Sequence, residues 1–533
     1  MKIILLLCCT AISVASAAAP ADHDATWKNA DRQPAMNAGE TRTFMKTLAQ
    51  YVADHHLKKA ENSPQRGMIY EYFRVSHAGQ PDQFMVGEAL DTMHDGAWFA
   101  NAMVNAYRAT GDPFYKQMLV KWQLPFYLKM LNHSAELFSS DAVDVREENR
   151  DTWKQGKEWL LQGRENGFVP YWWDDGTAVS LEMFGKKSEH PFFPCTNDFA
   201  GKPNPEFRLS GWSHGSSNHL AQDLAILVQE AWLLLRDSPD AGDQALAAEC
   251  ALAAKNLEDC RTRHGTASIN DVVAACGLTN QDAAMLKRSV SWEKETPLCT
   301  DNHFTRAVAT FKPDQKLPTP GFADDDMYIY YAGIARHGTL TRPLALKLAF
   351  DSFTHPILWQ MYHDDGPVPA GLNRFDLSGL NFINGKPEHL ASQGKGPGGR
   401  ALPFGSRMGP QNMAVCGWAL QAMKQGGDYA GLAEQVKKCV EDQTGKPCPH
   451  PDVKAWLEHE LGGGLRTWEA IFKDKGYIPT GVGAGSCPAG FAWDELSDTG
   501  GYAHLITAAA QWLFYLEGKR DWEVQLGNTP VPK

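Results

Sequence analysis

Asp91-Thr-Met-His-Asp-Gly-Ala-Trp98 opens a run of small and aromatic residues that continues to position 110, stops at Gly111-Asp112-Pro113 and resumes over 114–131. Helix, Gly-Asp-Pro turn, helix is the signature of an αα-hairpin. The first of the two helices is apolar nearly all round, so it must be buried on most sides. Its polar residues are crowded into the first turn.

Four more clusters repeat the pattern: Ser213-His-Gly-Ser-Ser-Asn-His219, Asp324-Asp-Asp-Met-Tyr328, Ser406-Arg-Met-Gly-Pro-Gln-Asn412 and Ser497-Asp-Thr-Gly-Gly-Tyr-Ala-His504. They recur roughly every 80–120 residues, the spacing of one or two helical hairpins with their loops. If the helices behind them stand side by side and start at one end, the polar openings converge on one mouth. The expected fold is therefore all-α, an (α/α) toroid of about six or seven hairpins with long loops on one face. The remaining pattern fits that plan. A first amphipathic helix is expected over 41–56, with Phe44, Leu48, Tyr51 and Val52 on one stripe. Further helices are expected over 218–236 and 240–256, 327–336 and 342–362, 410–424 and 429–442, and 502–516. Strand-like stretches are short, at 68–75 and 477–482. Long loops fall at 166–209, 293–322 and 363–404, and loops of that length in a compact fold are usually functional.

The chain begins with a secretory pattern: Lys2, an apolar run over 3–15 and a small-x-small site at Ala15-Ser16-Ala17. That run is too short to span a bilayer, and no later stretch approaches a spanning length. Residues 1–17 read as a signal peptide, 18–40 as a loose lead-in and 41–533 as one catalytic domain, in a secreted or periplasmic protein. Export permits disulfides among the nine cysteines beyond the leader. Proximity selects Cys250–Cys260, Cys276–Cys299 and Cys439–Cys448, and Cys416, on an apolar face, reads as a buried thiol. The net charge of −12, with no basic stripe, argues against a nucleic-acid partner. Seventeen tryptophans and fifteen tyrosines suit sugar rings better than polyanions, although many must lie in the core.

Capping explains an Asp, Ser or Asn at any one helix start. It does not explain His94, His214, His219 and His504, which all fall in these openings. Asn218 followed by His219 at the head of a buried helix resembles the Asn-His pair of the α/α-toroid polysaccharide lyases, the alginate-lyase and heparinase-like families. The resemblance implies β-elimination on a uronate-containing glycan. Asn218 would neutralise the carboxylate, His219 would take the C5 proton, and His214 would assist or orient. A tyrosine would protonate the leaving oxygen. No motif picks that tyrosine; Tyr328 fits best, with Tyr331 and Tyr502 behind it, and Arg407 could add charge stabilisation. The physical need is a set of donors around the developing charge, with acid and base in hydrogen-bond reach.

A second reading uses two carboxylates as in glycosidases, about 5–5.5 Å apart for retention or about 6.5–9.5 Å for inversion. Asp91, Asp95, Asp324, Asp325, Asp326 and Asp498 are the candidates, with Asp494 and Glu495 also near a helix start. Trp172 and Trp173, with His94, Gln411, Asn412, Tyr502 and His504, are the expected substrate contacts. A non-catalytic glycan-binding protein is the third reading. No catalytic metal or cofactor is expected, since HExxH and CxxC are both missing. Asp364, Asp365, Asn373, Asp376, Asn381 and Asn384 offer oxygens for a structural calcium in one loop.

Overall fold

The computed structural model describes residues 26–59, 61, 66–70, 72–75, 84–87, 92–134, 136, 166–167, 219–264, 369–374, 404–426, 430–444, 447–483 and 493–521. Helix makes up 74% of this, which places the chain in the all-α class. Two small antiparallel sheets accompany the helices.

The helices are α1 (Ala38–His55), α2 (Thr92–Thr110), α3 (Pro113–Met118), α4 (Leu124–Asn132), α5 (His219–Leu235), α6 (Ala241–His264), α7 (Met408–Gln425), α8 (Leu432–Thr444), α9 (Val453–Glu458), α10 (Gly464–Lys475) and α11 (Thr499–Leu516). Two π-helical turns join neighbours, Leu119–Gln123 between α3 and α4 and His459–Gly463 between α9 and α10. The first lies just before Pro125, whose ring cannot sit in a regular turn behind the carbonyl of residue 121. Strands β1 (Tyr72–Val75), β2 (Phe84–Gly87) and β6 (Leu496–Asp498) form one sheet in the order β2-β1-β6. Strands β3 (Asn373–Arg374), β4 (Phe404–Gly405) and β5 (Gly481–Val482) form the other in sequence order.

Contacts at the helix ends give their directions. The starts of α2, α7 and α11 meet through Asp95, Arg407 and Asp498. Their far ends meet through Arg108, Gln421 and Gln511, so the three run parallel. Helix α1 runs the other way along α11: Arg42 near its start pairs with Glu517, and His56 at its end meets Ser497. The α9–α10 unit is also antiparallel to α11, with Glu458 against Tyr515 and Ile478 against Tyr502. Helix α6 follows α3 and α4, because Lys116 meets Asp243 while Asn132 meets Glu249 and Asn256. Since α5 and α6 form a hairpin, as do α2 and α3–α4, α5 runs parallel to α2, on which it packs. Four parallel helices are thus flanked by antiparallel ones.

Burial follows the same division. Every residue of α11 from Thr499 to Phe514 is buried, whereas α1 buries one stripe, Phe44, Met45, Leu48, Ala49, Val52 and Ala53. Apolar surface is removed from water on all sides of α11 and on one side of α1.

Three expectations need correction. The lead-in is not loose from residue 26 onward. Thr26–Arg32 forms a 3-10 helix, Trp27, Ala30 and Met36 are buried, and Asn37 caps α1 in a reciprocal box with Glu40. Cys250 is a free, buried thiol, so it does not pair with Cys260. Cys250 and Cys260 lie on one helix, about 15 Å apart along its axis, beyond the reach of a disulfide. Cys416 is the buried thiol expected, pushed up by its apolar surroundings; Cys276 and Cys299 lie outside the described residues. The unit α9–α10 was not expected at all. Its Gly462-Gly463-Gly464 run reads as a break, but a glycine run there admits close neighbours.

One of those neighbours is the turn at 369–372. Ala370 and Gly371 donate their N–H groups to Asp31 (3.1 Å) and Glu460 (3.2 Å), and Trp468 Nε1 donates to the Gly371 carbonyl (2.9 Å). Gly371 has φ +76°, and a Cβ there would lie 2.6 Å from Gly464 Cα. Both the backbone conformation and the space exclude a side chain. Gly371→Ala is expected to cost about 2–4 kcal/mol in urea-induced unfolding. A midpoint within error of the parent would show that the turn is not seated as described.

Candidate functional site

Three of the five polar openings come together at the start of α2, α7 and α11. Asp498 ends β6, where Asp498 pairs with Tyr72 of β1, and then caps α11 by accepting from Gly500 N (2.9 Å) and Gly501 N (3.4 Å). Arg407, immediately before α7, reaches both neighbours. Its Nη2 donates to Asp95 Oδ2 (2.7 Å) and to Asp498 Oδ1 (3.0 Å), and its Nε donates to Asp498 Oδ2 (3.0 Å). The two carboxylates are wholly buried and the guanidinium side chain is 14% exposed. A forked arginine suits this position because its donors lie in one plane and can serve two acceptors at once.

The glycines of α11's first turn make the approach possible. A Cβ on Gly500 would stand 2.9 Å from Arg407 Nε, and one on Gly501 would stand 2.5 Å from Ser406 Oγ. Deeper in, the Arg407 guanidinium lies over Trp98 at 5.8 Å, and the Trp98 ring meets His504 at 4.5 Å. Gln411 Nε2 meets His504 Nε2 at 2.9 Å.

A second buried network braces the same opening from α1. His56 Nε2 meets Ser497 Oγ (2.9 Å), and its Nδ1 meets Thr499 Oγ1 (2.7 Å) and the Tyr70 carbonyl (2.9 Å). Burial holds the imidazole neutral, lowering it from 6.5 to about 3. Tyr502 receives the Ile478 N–H (2.8 Å) and stacks on Tyr51 at 5.1 Å; burial pushes its phenol well above the usual range. Ser497 and His56 have the spacing of a nucleophile and its base, but both are wholly buried. No substrate reaches them there, and their role is to brace the helix start.

Apart from Asn412, Tyr502, Asp494 and Glu495, the expected site residues divide into three groups. Asp95, Arg407, Gln411, His504 and Asp498 are brought together. His94 and His219 fall in the first turns of α2 and α5, which point the same way. Asn218, His214, Tyr328, Tyr331, Asp91, Asp324, Asp325, Asp326, Trp172 and Trp173 lie outside the described residues, as do Asp364, Asp365, Asp376, Asn381 and Asn384 of the possible calcium loop. Gln411, Asn412, Tyr502 and His504 are at most 3% exposed, so none presents a surface a sugar can touch. Asp95 and Asp498 are equally closed, and both are engaged by Arg407. That is the environment of a structural ion cluster, not of a glycosidase acid and base that must reach opposite sides of a glycosidic bond.

Sequence reasoning missed His56, Thr499 and the Arg108–Asp521 pair. The available signal for the last of these was a polar stripe, Asn101, Asn105 and Arg108, recurring every three or four residues on an otherwise apolar helix. Among the described residues no group of three or more His, Cys, Asp or Glu is placed to hold a metal ion, and no helix is long and apolar enough to cross a membrane. An open groove of about 510 Å³ lies along α1 between Lys46, Tyr51, His55 and Phe472, away from the expected residues. Among the described residues, arrangement and burial define a mainly helical protein in which the starts of α2, α7 and α11 are braced by one arginine. The chain matches no protein-family model, and no curated protein matches it significantly.

Proposed function

We propose that the chain is an exported polysaccharide-degrading enzyme on an α/α toroid, a lyase that cleaves a uronate-containing glycan by β-elimination. The observation that supports this reading is the common direction of α2, α5, α7 and α11. Their starts gather the openings that the sequence marks with histidine and aspartate, and α11 packs on α2 as well as on α7. Contact between the last and first members of an inner set is what a closed ring requires.

In this reading Asn218 stabilises the carboxylate charge and His219, heading α5, removes the C5 proton. His214 orients it, and a tyrosine such as Tyr328 protonates the leaving oxygen. Removal of a proton next to a carboxylate needs donors preorganised where the charge develops, and helix starts supply them. The carboxylate reading now rests on Asp91, Asp324, Asp325 and Asp326, because Asp95 and Asp498 are closed off.

Incubation of the purified protein with uronate polysaccharides and neutral glucans tests the proposal. Absorbance of unsaturated uronate products should rise, and His219→Ala should lower the rate by about 100-fold or more with the fold intact. New reducing ends without unsaturation would transfer the reaction to the aspartates. Binding without cleavage would leave a glycan-binding protein.

A further inference from the structure

We infer that Arg407 is the positioning residue of this site and not its charge stabiliser, an inference that rests on the lyase reading above. The geometry argues it in three steps. First, the guanidinium is already engaged: Asp95 and Asp498 take its Nη2 and Nε at 2.7–3.3 Å, and the side chain is 14% exposed. Two carboxylates around one guanidinium leave no surplus positive charge to offer a uronate. Second, its partners sit where position matters most. Asp498 is the cap of α11, holding Gly500 N and Gly501 N, so displacing it releases that helix start. Asp95 lies in the first turn of α2, directly after His94, and α5 with His219 at its head packs along α2.

Third, the opposite end of the same three helices is joined independently. Arg108 on α2, Gln421 on α7 and Gln511 on α11 all hold Asp521. With the far ends pinned there, the Arg407 contact sets the separation of the near ends. A change at Arg407 should therefore loosen the mouth without releasing the bundle. Positioning errors of about 1 Å at a reacting centre can cost about 100-fold in rate.

The experiment compares the full chain with Arg407→Lys and Asp498→Asn. Lysine keeps the charge but not the fork, and asparagine keeps the cap but not the charge. Two readouts are taken: amide hydrogen exchange by segment, and kcat and KM separately on the glycan the parent cleaves. Exchange over 92–98 and 498–504 should accelerate about tenfold or more, with 105–110 and 511–516 unchanged. At the same time kcat should fall about 100-fold with KM within about twofold. A rise in KM with unchanged exchange would mean that Arg407 touches substrate, and would overturn the inference. Uniform loss of protection along all three helices would reduce Arg407 to ordinary stability and overturn it too. If the parent cleaves no glycan, the lyase reading fails; local acceleration would then still establish Arg407 as the organiser of the mouth, and its absence would remove that as well.

Discussion

Asp521→Ala is expected to destabilise the protein by about 3–5 kcal/mol, because it breaks a buried ion pair from one side. Asp521 follows α11 through the turn at 517–520 and comes back against the ends of α2, α7 and α11. Its Oδ1 takes Arg108 Nη1 at 2.5 Å, its Oδ2 takes Gln511 Nε2 at 2.9 Å, and its N–H donates to Gln421 Oε1 at 2.8 Å. Arg108 is wholly buried, against the Phe514 ring and Asn105. Alanine removes the carboxylate that faces that guanidinium in a dry interior, so the desolvation cost of the ion is no longer offset by this pair. Arg108→Leu together with Asp521→Ala should recover much of the loss, since a pair removed together leaves no orphan charge. Guanidinium-induced unfolding of the single and double variants checks this. A single-variant loss below about 1 kcal/mol, typical of an exposed pair, would contradict the burial described here.

The second large effect is acid sensitivity through His56. The folded imidazole lies at about 3, below its ordinary 6.5, because burial disfavours its charged form. The unfolded chain therefore binds a proton that the folded chain refuses. Stability from this group is complete above about pH 6.5 and is lost as pH falls from there toward about pH 3. Between pH 7 and 4.5 the loss comes to about 2–3 kcal/mol. The groups packed on the ring, His55, Tyr51 and Tyr502, offer no counter-charge for an imidazolium. His56→Gln should start less stable at pH 7 yet lose about 2–3 kcal/mol less between those two pH values. Parallel losses in parent and variant would show that other groups carry the acid sensitivity.

Much of the helical framework was legible without coordinates. Period and punctuation place α2, α3–α4, α5, α7 and α11 within a few residues, because an all-round apolar helix and a Gly-Asp-Pro stop are local signals. Helix α6 runs eight residues past its expected end at 256, since no Gly or Pro interrupts the chain between Leu257 and His264. The α9–α10 unit was hidden because three consecutive glycines carry the same local message whether they end a helix or line a close contact. Cysteine spacing misled for a related reason. Ten residues is a short loop in a coil and a long rod in a helix.

The candidate site divides along the same line. The sequence by itself determined that polar openings rich in His and Asp head buried helices, since capping preference and hydrophobic periodicity are properties of neighbouring residues. Only the tertiary structure decided what each polar group does. Arg407 meets Asp95 and Asp498 across more than 300 and 91 residues of chain respectively, and His56 meets Ser497 across 441. Whether an aspartate at a helix start faces a substrate or a guanidinium depends on which helix lies beside it. That is set by the packing of whole apolar faces, whose free energy is summed over many residues and not written at any one of them.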